Sequence, residues 1–358
     1  MVLRHIMSTL GHSPRTTRNL SQDEAARAFT SILEGAESDI LVATFLTTLR
    51  WKGVTVEEFS GFARAARAMA DLPCRGVPDL LCVSAPLDGH DLVPPLDIVS
   101  CLIAAGAGQK TLLLTDQSIP PRRGLTAAHV LGELGASMTW DPREAEEWVA
   151  RIGLGVLSVS GMLPALVPLR KVRGEMLVRT PLSTIEKLLA PPQAAVLLGA
   201  QHGPVLGAAI EVVKGLGHPR GIVLQGEGGG VIPLLKRRTK GIELSEGYLC
   251  RLTVEPNDFG LAAGSEPELP MYGPPEDGKG AADNDALVRE SGQIAAAVLA
   301  GEMSPARNAS ILGAALMLKA GNRAMTIADG ISKATEALDS GRASAVLENL
   351  RQCSRGQS

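Results

Sequence analysis

The strongest constraint on the fold is an alternation of short apolar runs with helical stretches, which begins near Leu80. The runs DLLCVSAP and KTLLLTD are predicted strands, and between and after them lie DIVSCLIAAGAG and LTAAHVLGELGA, whose apolar residues recur at helical spacing. The segments SMTW, QAAVLLGA and GIVLQGEGGG continue the series of strands, with GPVLGAAIEVVKGLG as a further helix. Strands joined by helices favour a parallel or mixed sheet. The sequence therefore predicts an α/β domain with a central, mostly parallel sheet covered by helices.

The first 75 residues carry a different pattern, that of a small helical bundle. Ser21 is followed three residues later by Glu24, which is a capping-box signature at the start of the run EAARAFTSILEG. Two more helices are predicted, one from Ser38 to Gly53 and one from Thr55 to about Ala70. Three short helices with narrow connections form a small helical domain.

The final part of the chain begins with a loop and ends in helices. The stretch 256–283 is dense in Gly, Pro and acidic residues and is predicted to be an extended loop. Helical spacing of apolar residues then returns over 285–300, 305–320 and 327–350, and Asp339-Ser340-Gly341 interrupts the last of these.

Composition excludes several classes of protein. The 358 residues are 45% hydrophobic and 20% charged, so the chain is too apolar for a disordered protein and long enough for two or three domains. Aromatic residues make up only 3%, which disfavours an aromatic-rich β-sandwich. The formal net charge of -3 does not indicate a nucleic-acid partner, so binding of anions depends on local clusters of Lys and Arg.

Cysteine and histidine usage points to a protein without disulfides or a metal site. The five cysteines include no CxxC pair, which favours reduced, mostly buried thiols, and the six histidines show neither HxxxH nor HxH spacing. The N-terminus lacks an apolar run of signal-peptide length, and no later run reaches the ~18 apolar residues of a membrane span. We therefore expect a soluble, cytoplasmic protein with no membrane partner.

Five segments, taken in chain order, match the pattern of one known family. They are ILEGAESDILVATFLTTLRWKGVTVEEFSGFARAARAM, LVRTPLSTIEKLLAPP, LTVEPNDFGL, NASILGAALMLKAG and ALDSGRASAVLENL. This series resembles the anthranilate phosphoribosyltransferase family, which shares its fold with pyrimidine nucleoside phosphorylases, and it covers nearly the whole chain. The resemblance implies a small helical domain over 1–75 with a returning segment at about 165–190, and an α/β domain over 76–164 and 191–358. It also implies that substrates bind between the domains and that the chain forms a homodimer through the helical domain.

The family's glycine-rich donor loop, Gly-Thr-Gly-Gly-Asp, corresponds here to an altered donor loop. That loop is Ser84-Ala85-Pro86-Leu87-Asp88, followed by Gly89. Backbone N–H groups approach a pyrophosphate closely only where no Cβ intervenes, and magnesium bridges the remaining oxygens. Because Pro86 has no N–H and Leu87 adds bulk, the altered donor loop is expected not to cradle a diphosphate.

Three further family sites are replaced as well. The phosphate contacts Asn and Ser-Thr fall on Pro94, Leu96 and Asp97, the last of which would repel an anion. The Lys-His-Gly-Asn segment falls on Leu113-Leu114-Thr115-Asp116, and the Asp-Glu pair that holds magnesium falls on Val231-Ile232. These losses predict a chain without a cofactor, with Mg expected only if a transferase activity is present.

Local basic clusters offer candidate sites for a phosphorylated ligand or another polyanion. The predicted binding residues are Arg170, Lys171, Arg173, Arg179, Lys236, Arg237, Arg238 and Lys240, and Arg122-Arg123 forms a further cluster. The resemblance matches Arg173 and Arg179-Thr180 to the family's Arg-x5-Arg-Thr segment, whose first Arg faces the aromatic acceptor. The alternative for each cluster is a solvated surface segment that binds no ligand.

The remaining candidates are weaker. Asp88 and His90, in and beside the altered donor loop, are candidate catalytic residues, and His90 is a candidate proton carrier with a structural role as the alternative. His202 precedes Gly203-Pro204 and is a candidate helix cap. The glycine-rich stretch 225–230 lacks the spacing of a dinucleotide fingerprint, so a flexible turn is the favoured interpretation.

These observations lead to three hypotheses. The first is a family member with a degenerate active site, not a phosphoribosyltransferase, that binds nucleic acid or another polyanion through its basic residues; the resemblance extends to a branch without the catalytic glycine loop that includes DNA-binding proteins. The second is a glycosyl or phosphoribosyl transferase, or a nucleoside phosphorylase-like enzyme, with an altered donor loop, which uses Asp88, His90 and Arg173. The third is an oligomeric scaffold without a small ligand. The first hypothesis is preferred on the sequence alone.

Overall fold

The computed structural model describes residues 2–10, 17–201, 203–271 and 279–355, with Pro204 described through its backbone alone. The α-helices of these residues are α1 (Val2–Leu10), α2 (Gln22–Leu33), α3 (Asp39–Lys52), α4 (Val56–Met69), α5 (Asp97–Gly106), α6 (Ala127–Glu133), α7 (Pro142–Ile152), α8 (Val159–Met162), α9 (Leu169–Met176), α10 (Leu182–Ile185), α11 (Gly203–Gly215), α12 (Asp285–Leu299), α13 (Pro305–Ala320), α14 (Ile327–Asp339) and α15 (Arg342–Arg355). The strands are β1 (Leu81–Ser84), β2 (Thr111–Thr115), β3 (Leu154–Ser158), β4 (Ala195–Gly199), β5 (Arg220–Leu224), β6 (Thr239–Ser245) and β7 (Tyr248–Val254).

Helices α1–α4 form the helical domain at the start of the chain. The capping box predicted at Ser21 and Glu24 is present at the start of α2, and α4 begins with a second capping box. Gly61 of α4 allows the closest approach to α2, since a Cβ at this position would lie 2.3 Å from the carbonyl oxygen of Gln22. Helix α9 packs against α3, and α10 packs against α4, so the middle segment returns to this domain. The predicted domain limits stay a prediction.

Seven strands form one sheet in the order β3-β2-β1-β4-β5-β6-β7. The first five strands are parallel, and the hairpin of β6 and β7 extends the sheet antiparallel to β5. The predicted fold class, a small helical domain with a larger α/β domain around a mostly parallel sheet, is confirmed. Because strand order reverses between β1 and β4, the loops that follow these two strands diverge and leave a crevice at their carboxyl ends.

Successive side chains of each central strand alternate between the two hydrophobic cores on the two faces of the sheet. Cys82, Leu112 and Val196 pack with α7, α11 and the helical domain, whereas Leu81, Leu113 and Leu197 pack with α5 and α12–α15. All residues of β1–β4 are buried, as expected for a parallel sheet that is covered on both faces.

Three parts of the local prediction were wrong. The segment SMTW is not a strand: Thr139 makes a single bridge to Leu157, and the edge strand is β3. Helix α1 was not predicted, and neither was the β6–β7 hairpin, whose charged residues alternate with apolar ones. The break predicted near Ser340 is real and separates α14 from α15 at Gly341, which has φ of +77°. In the predicted loop 256–283, residues 272–278 lie outside the described residues.

An aromatic cluster holds the helical domain together and gives a first prediction. Phe62 is 1% exposed, and its ring centroid lies 5.7 Å from that of Phe29 and 6.2 Å from that of Phe45. We expect Phe62→Ala to lower the free energy of unfolding by about 3–5 kcal/mol because it leaves a cavity between α2, α3 and α4. Denaturant titration measures the change. Met303→Ala, at a position 81% exposed, is the control and should change stability by less than about 0.5 kcal/mol.

Candidate active site in the interdomain cleft

The crevice between β1 and β4 opens into a cleft of about 790 Å³ between the two domains. The helical domain contributes Arg50, Trp51, Val54 and the segment 177–184 to its lining. The α/β domain contributes Arg122, Gly199, Gln201 and Gly229, and Lys187 comes from the turn after α10, which packs against α4. Apolar side chains and cationic side chains therefore line the same cleft.

The altered donor loop is packed into the protein and does not form an open cradle. Residues 84–90 are all buried, and the Ser84 hydroxyl donates to the carbonyl oxygen of Lys187 at 2.9 Å. Gly89 has φ of +74°, and a Cβ there would lie 2.3 Å from the carbonyl of Gly124. This glycine is therefore required for close packing of two backbone segments rather than for contact with a ligand.

Asp88, at the end of this loop, is bound by Arg179 from the helical domain. The guanidinium donates through Nε and Nη2 to the two carboxylate oxygens, and its Nη1 donates to Gln201 Oε1 at 2.8 Å. Burial alone would raise the pKa of Asp88, but the hydrogen bonds and charge of Arg179 outweigh it and hold this pKa below its ordinary value. Asp88 is consequently a carboxylate that fixes the orientation of Arg179.

His90 is fully enclosed and neutral. Its backbone N–H and carbonyl pair with Leu125 at 2.7 Å each, and its ring Nδ1 has no hydrogen-bond partner among the described residues. Burial, with a further contribution from the charge of Arg122, lowers the pKa of His90 to about 3. A Cβ at Gly228 would lie 2.7 Å from Nδ1, so the ring packs directly against the glycine-rich stretch.

The position that corresponds to the family's phosphate and magnesium contacts is closed. His90, Leu96, Asp97, Val231 and Ile232 surround a cavity of about 20 Å³, which holds roughly one water molecule. Burial raises the pKa of Asp97 to about 6. Within the described ranges no group of three or more His, Cys, Asp or Glu side chains is placed to hold a metal ion.

Lys187 joins the glycine-rich stretch to the end of β4. Its Nζ donates to the carbonyl oxygens of Gly199 at 2.9 Å and Gly229 at 3.4 Å. Burial, together with the charge of Arg179, lowers the pKa of Lys187 to about 8. The ammonium is also part of the cleft lining, so it adds positive charge at the foot of the cleft.

The predicted basic residues divide into three groups in space. Arg170 pairs with buried Asp116 at 3.0 Å, Lys171 pairs with exposed Asp39 at 3.1 Å, and Arg173 forms a buried ion pair with Glu186. These three residues do not contribute to the cleft lining. Arg179 lies in the cleft, as described above.

The third group lies beside the cleft rather than in it. Arg237, Arg238 and Lys240 line an adjoining cavity of about 420 Å³, together with residues 225–229. Lys236 is exposed and does not line this cavity. His202, the candidate helix cap, lies outside the described residues.

Sequence reasoning missed Lys187, Gln201 and Trp51 as residues of the cleft. Lys187 sits in the run EKLL, where no spacing distinguishes it from a surface lysine, and its burial arises from packing against β4 and the glycine-rich stretch. The position of Gln201 could have been predicted, because it follows β4, and ligands commonly bind at the carboxyl ends of strands beside the point where strand order reverses.

Comparison with known proteins places this arrangement in a class of two-domain transferases. A model of the Glycosyl transferase family, a/b domain, matches residues 96–344, and a model of the Glycosyl transferase family, helical bundle domain, matches residues 5–70. The anthranilate phosphoribosyltransferase of Paracidovorax citrulli is 30% identical over 93% of this chain and 92% of its own length, and that of Solibacter usitatus is 30% identical over 96% and 98%. The chain therefore belongs to the anthranilate phosphoribosyltransferase family.

Solved structures share the fold over the full length. The anthranilate phosphoribosyltransferase of Thermus thermophilus has a TM-score of 0.80 at 23% identity and covers 99% of both chains. The enzyme of Saccharomyces cerevisiae in complex with PRPP and Mg also has a TM-score of 0.80, at 18% identity, covering 99% of this chain and 98% of that one. Among the described residues, no helix is long and apolar enough to cross a membrane.

The preferred hypothesis from the sequence was wrong. We expected a protein that is not a phosphoribosyltransferase and binds nucleic acid, because the donor loop is altered. Relatives of the same length that are named anthranilate phosphoribosyltransferase, at about 30% identity, contradict that expectation and favour the alternative, an enzyme with an altered donor loop. The replaced residues mark where this chain differs from the family pattern.

Buried His90 makes stability depend on pH in a predictable direction. Its pKa falls from 6.5 to about 3 on folding, so below pH 6.5 the unfolded chain binds a proton that the folded chain does not. The stabilisation is therefore complete above pH 6.5 and is lost as pH falls toward 3, by about 2–3 kcal/mol between pH 6.5 and 4.5. His90→Gln should remove this share of the acid destabilisation in unfolding titrations. His5→Gln, at an exposed position, should retain it.

Proposed function

We propose that this chain is a glycosyltransferase of the phosphoribosyltransferase type, which transfers a sugar phosphate from an activated donor to an aromatic acceptor. The observation that carries the proposal is the combination of apolar and cationic side chains in the lining of one cleft. Trp51 and Leu177, which are 81% and 77% exposed, supply apolar surface. Arg179, two residues after Leu177, and Lys187 supply positive charge to the same lining. Such a cleft suits a flat apolar acceptor beside an anionic donor.

The proposed reaction forms a bond between the acceptor and the anomeric carbon while the bond from that carbon to the leaving diphosphate breaks. The acceptor gives up one proton, and the diphosphate leaves with the electron pair of the broken bond. Asp88 and Gln201 hold Arg179 in one orientation in the cleft lining, so its position does not have to change during the reaction. Mg²⁺ bound to the donor's diphosphate would neutralise part of the charge of the leaving group.

The test is a transferase assay with phosphoribosyl pyrophosphate, Mg²⁺ and a panel of aromatic amines that includes anthranilate. Release of diphosphate and loss of the acceptor are both measured. Product that depends on donor, acceptor and enzyme supports the proposal, and the acceptor with the highest kcat/KM identifies the substrate class. Absence of diphosphate release with every acceptor would contradict the proposal.

A conservative exchange tests the role of Arg179. We expect Arg179→Lys to lower kcat/KM at least tenfold, because an ammonium cannot bind both oxygens of Asp88 and also reach Gln201 as the planar guanidinium does. Lys171→Arg is the matched control, since Lys171 is exposed, pairs with Asp39 and lies outside the cleft lining. Its kcat/KM should stay within twofold of the wild type. Equal effects of the two exchanges would remove Arg179 from the site.

We also propose that two copies of the chain associate through the helical domain. Ile40 at the start of α3 is 81% exposed, although Val42, Phe45, Leu46 and Leu49 of the same helix are buried, and an exposed aliphatic side chain of this size suits a contact with a second copy. Ile40→Asp should shift the protein from dimer to monomer in light scattering coupled to gel filtration. Met303→Asp, at an equally exposed position outside this domain, should leave the mass unchanged.

A further inference from the structure

We propose that the phosphate groups of the donor bind on the opposite side of the glycine-rich stretch from the altered donor loop, in the cavity lined by Arg237, Arg238 and Lys240. This inference rests on the proposed function and deepens it, because it names the part of the molecule that receives the anionic end of the donor. The ligand class is a diphosphate or monophosphate ester.

The glycine-rich stretch 225–230 separates two cavities of different character. Glu227 and Gly230 line the closed cavity of about 20 Å³ beside His90, where apolar Leu96, Val231 and Ile232 occupy the space. Gly226, Gly228 and Gly229 line the cavity of about 420 Å³, and Glu227 lines both cavities. A space that holds roughly one water excludes a diphosphate, whereas the larger cavity has room for one.

The open cavity carries an excess of positive charge. Arg237, Arg238 and Lys240 all line it, and the nearest ion-pair partner of Arg238 is Glu255 at 3.9 Å. No ion pair within 4 Å is found for Arg237 or Lys240 among the residues that the structure describes. Glu227 is the one carboxylate that the described residues contribute to the lining, so the three cations outnumber it, and burial together with nearby Glu266 raises its pKa above the ordinary value. The cavity is therefore suited to an anion.

The cationic segment is held firmly against the glycine-rich stretch. Backbone N–H groups of Leu235 and Lys236 donate to the carboxylate of Glu266 at 2.8 and 2.9 Å. The N–H of Leu234 donates to the buried Thr239 hydroxyl at 2.8 Å, and the N–H of Gln225 donates to the carbonyl of Lys240 at 2.8 Å. These bonds fix the backbone from which the three cations extend, so less entropy is lost when a ligand binds.

The open cavity adjoins the cleft. Gln201 and Gly229 line both spaces, and the side chain of Gln201 accepts a hydrogen bond from Arg179 at 2.8 Å. A donor with its sugar beside Arg179 therefore reaches the cationic cavity past Gln201. Gly229 has φ of +80°, and a Cβ there would lie 3.2 Å from Cβ of Gln201, so a side chain at this point would narrow the passage.

Binding of inorganic pyrophosphate, measured by calorimetry with and without Mg²⁺, tests the proposal without any need for turnover. Arg237→Glu and Arg238→Glu should each weaken pyrophosphate binding at least tenfold. Lys236→Glu is the matched control, because it makes the same charge change in the same run at an exposed position outside the cavity lining. Its effect should stay within about twofold, with circular dichroism confirming that all three variants fold.

The outcomes separate this inference from the proposed function. Equal effects of the three substitutions, or no binding of pyrophosphate by the wild type, overturn the inference. Selective loss of binding in Arg237→Glu and Arg238→Glu supports it, even if no acceptor is converted and the proposed function fails. Conversely, Arg237→Glu could turn over substrate with the same KM for the donor as the wild type. That result would support the transferase activity and would contradict binding of the donor's phosphates in the cationic cavity.

Discussion

The ion pair of Asp88 and Arg179 connects the two domains at the point where the sheet's strand order reverses. Asp88 belongs to the loop after the central strand β1, whereas Arg179 follows α9 in the segment that returns to the helical domain. Arg50 of α3 donates to the carbonyl oxygen of Arg179, so a third segment supports the same contact. The Asp88 side chain is 2% exposed and that of Arg179 is 23% exposed, so loss of Arg179 would leave a buried carboxylate without its cation. The contact joins the two parts of the chain that line the cleft.

The altered donor loop is packed into the protein by its own apolar residues. Pro86 and Leu87 are buried, and Leu87 packs in the core that includes the helical domain. Leu96 and Val231, which bound the small cavity beside His90, pack in the core on the other face of the sheet. The glycine-rich stretch nevertheless retains backbone geometry that only glycine adopts readily, at Gly228 and Gly229. It lines one cavity with Arg237, Arg238 and Lys240, and this arrangement is the basis of the phosphate site proposed above.

Much of the fold follows from local sequence patterns, and the exceptions have physical reasons. Apolar runs predicted β1, β2, β4 and β5 because those strands are buried on both faces. The hairpin of β6 and β7 lies at the sheet's edge, where charged residues such as Lys240 and Arg251 are exposed and interrupt the apolar pattern. The residues of the site were harder to predict than the strands. Arg173 and Arg179 look equivalent in the sequence, but Arg173 forms a buried ion pair with Glu186, whereas Arg179 pairs with Asp88 and lines the cleft. Tertiary packing, which the local sequence does not show, decides which of the two arginines reaches the cleft.

The Nζ atom of Lys187 donates hydrogen bonds to two backbone carbonyls and also carries positive charge beside the cleft, and these two properties respond differently to a rise in pH. Its pKa of about 8 means that the ammonium loses a proton slightly above neutrality, whereas most lysines keep theirs to beyond pH 10. A neutral amine retains two N–H groups, enough to serve the carbonyls of both Gly199 and Gly229. In mildly basic solution the hydrogen bonds around the glycine-rich stretch would thus persist while the positive charge that attracts anions is lost. The shape of the pocket and its charge therefore depend on the same side chain but change over different ranges of pH.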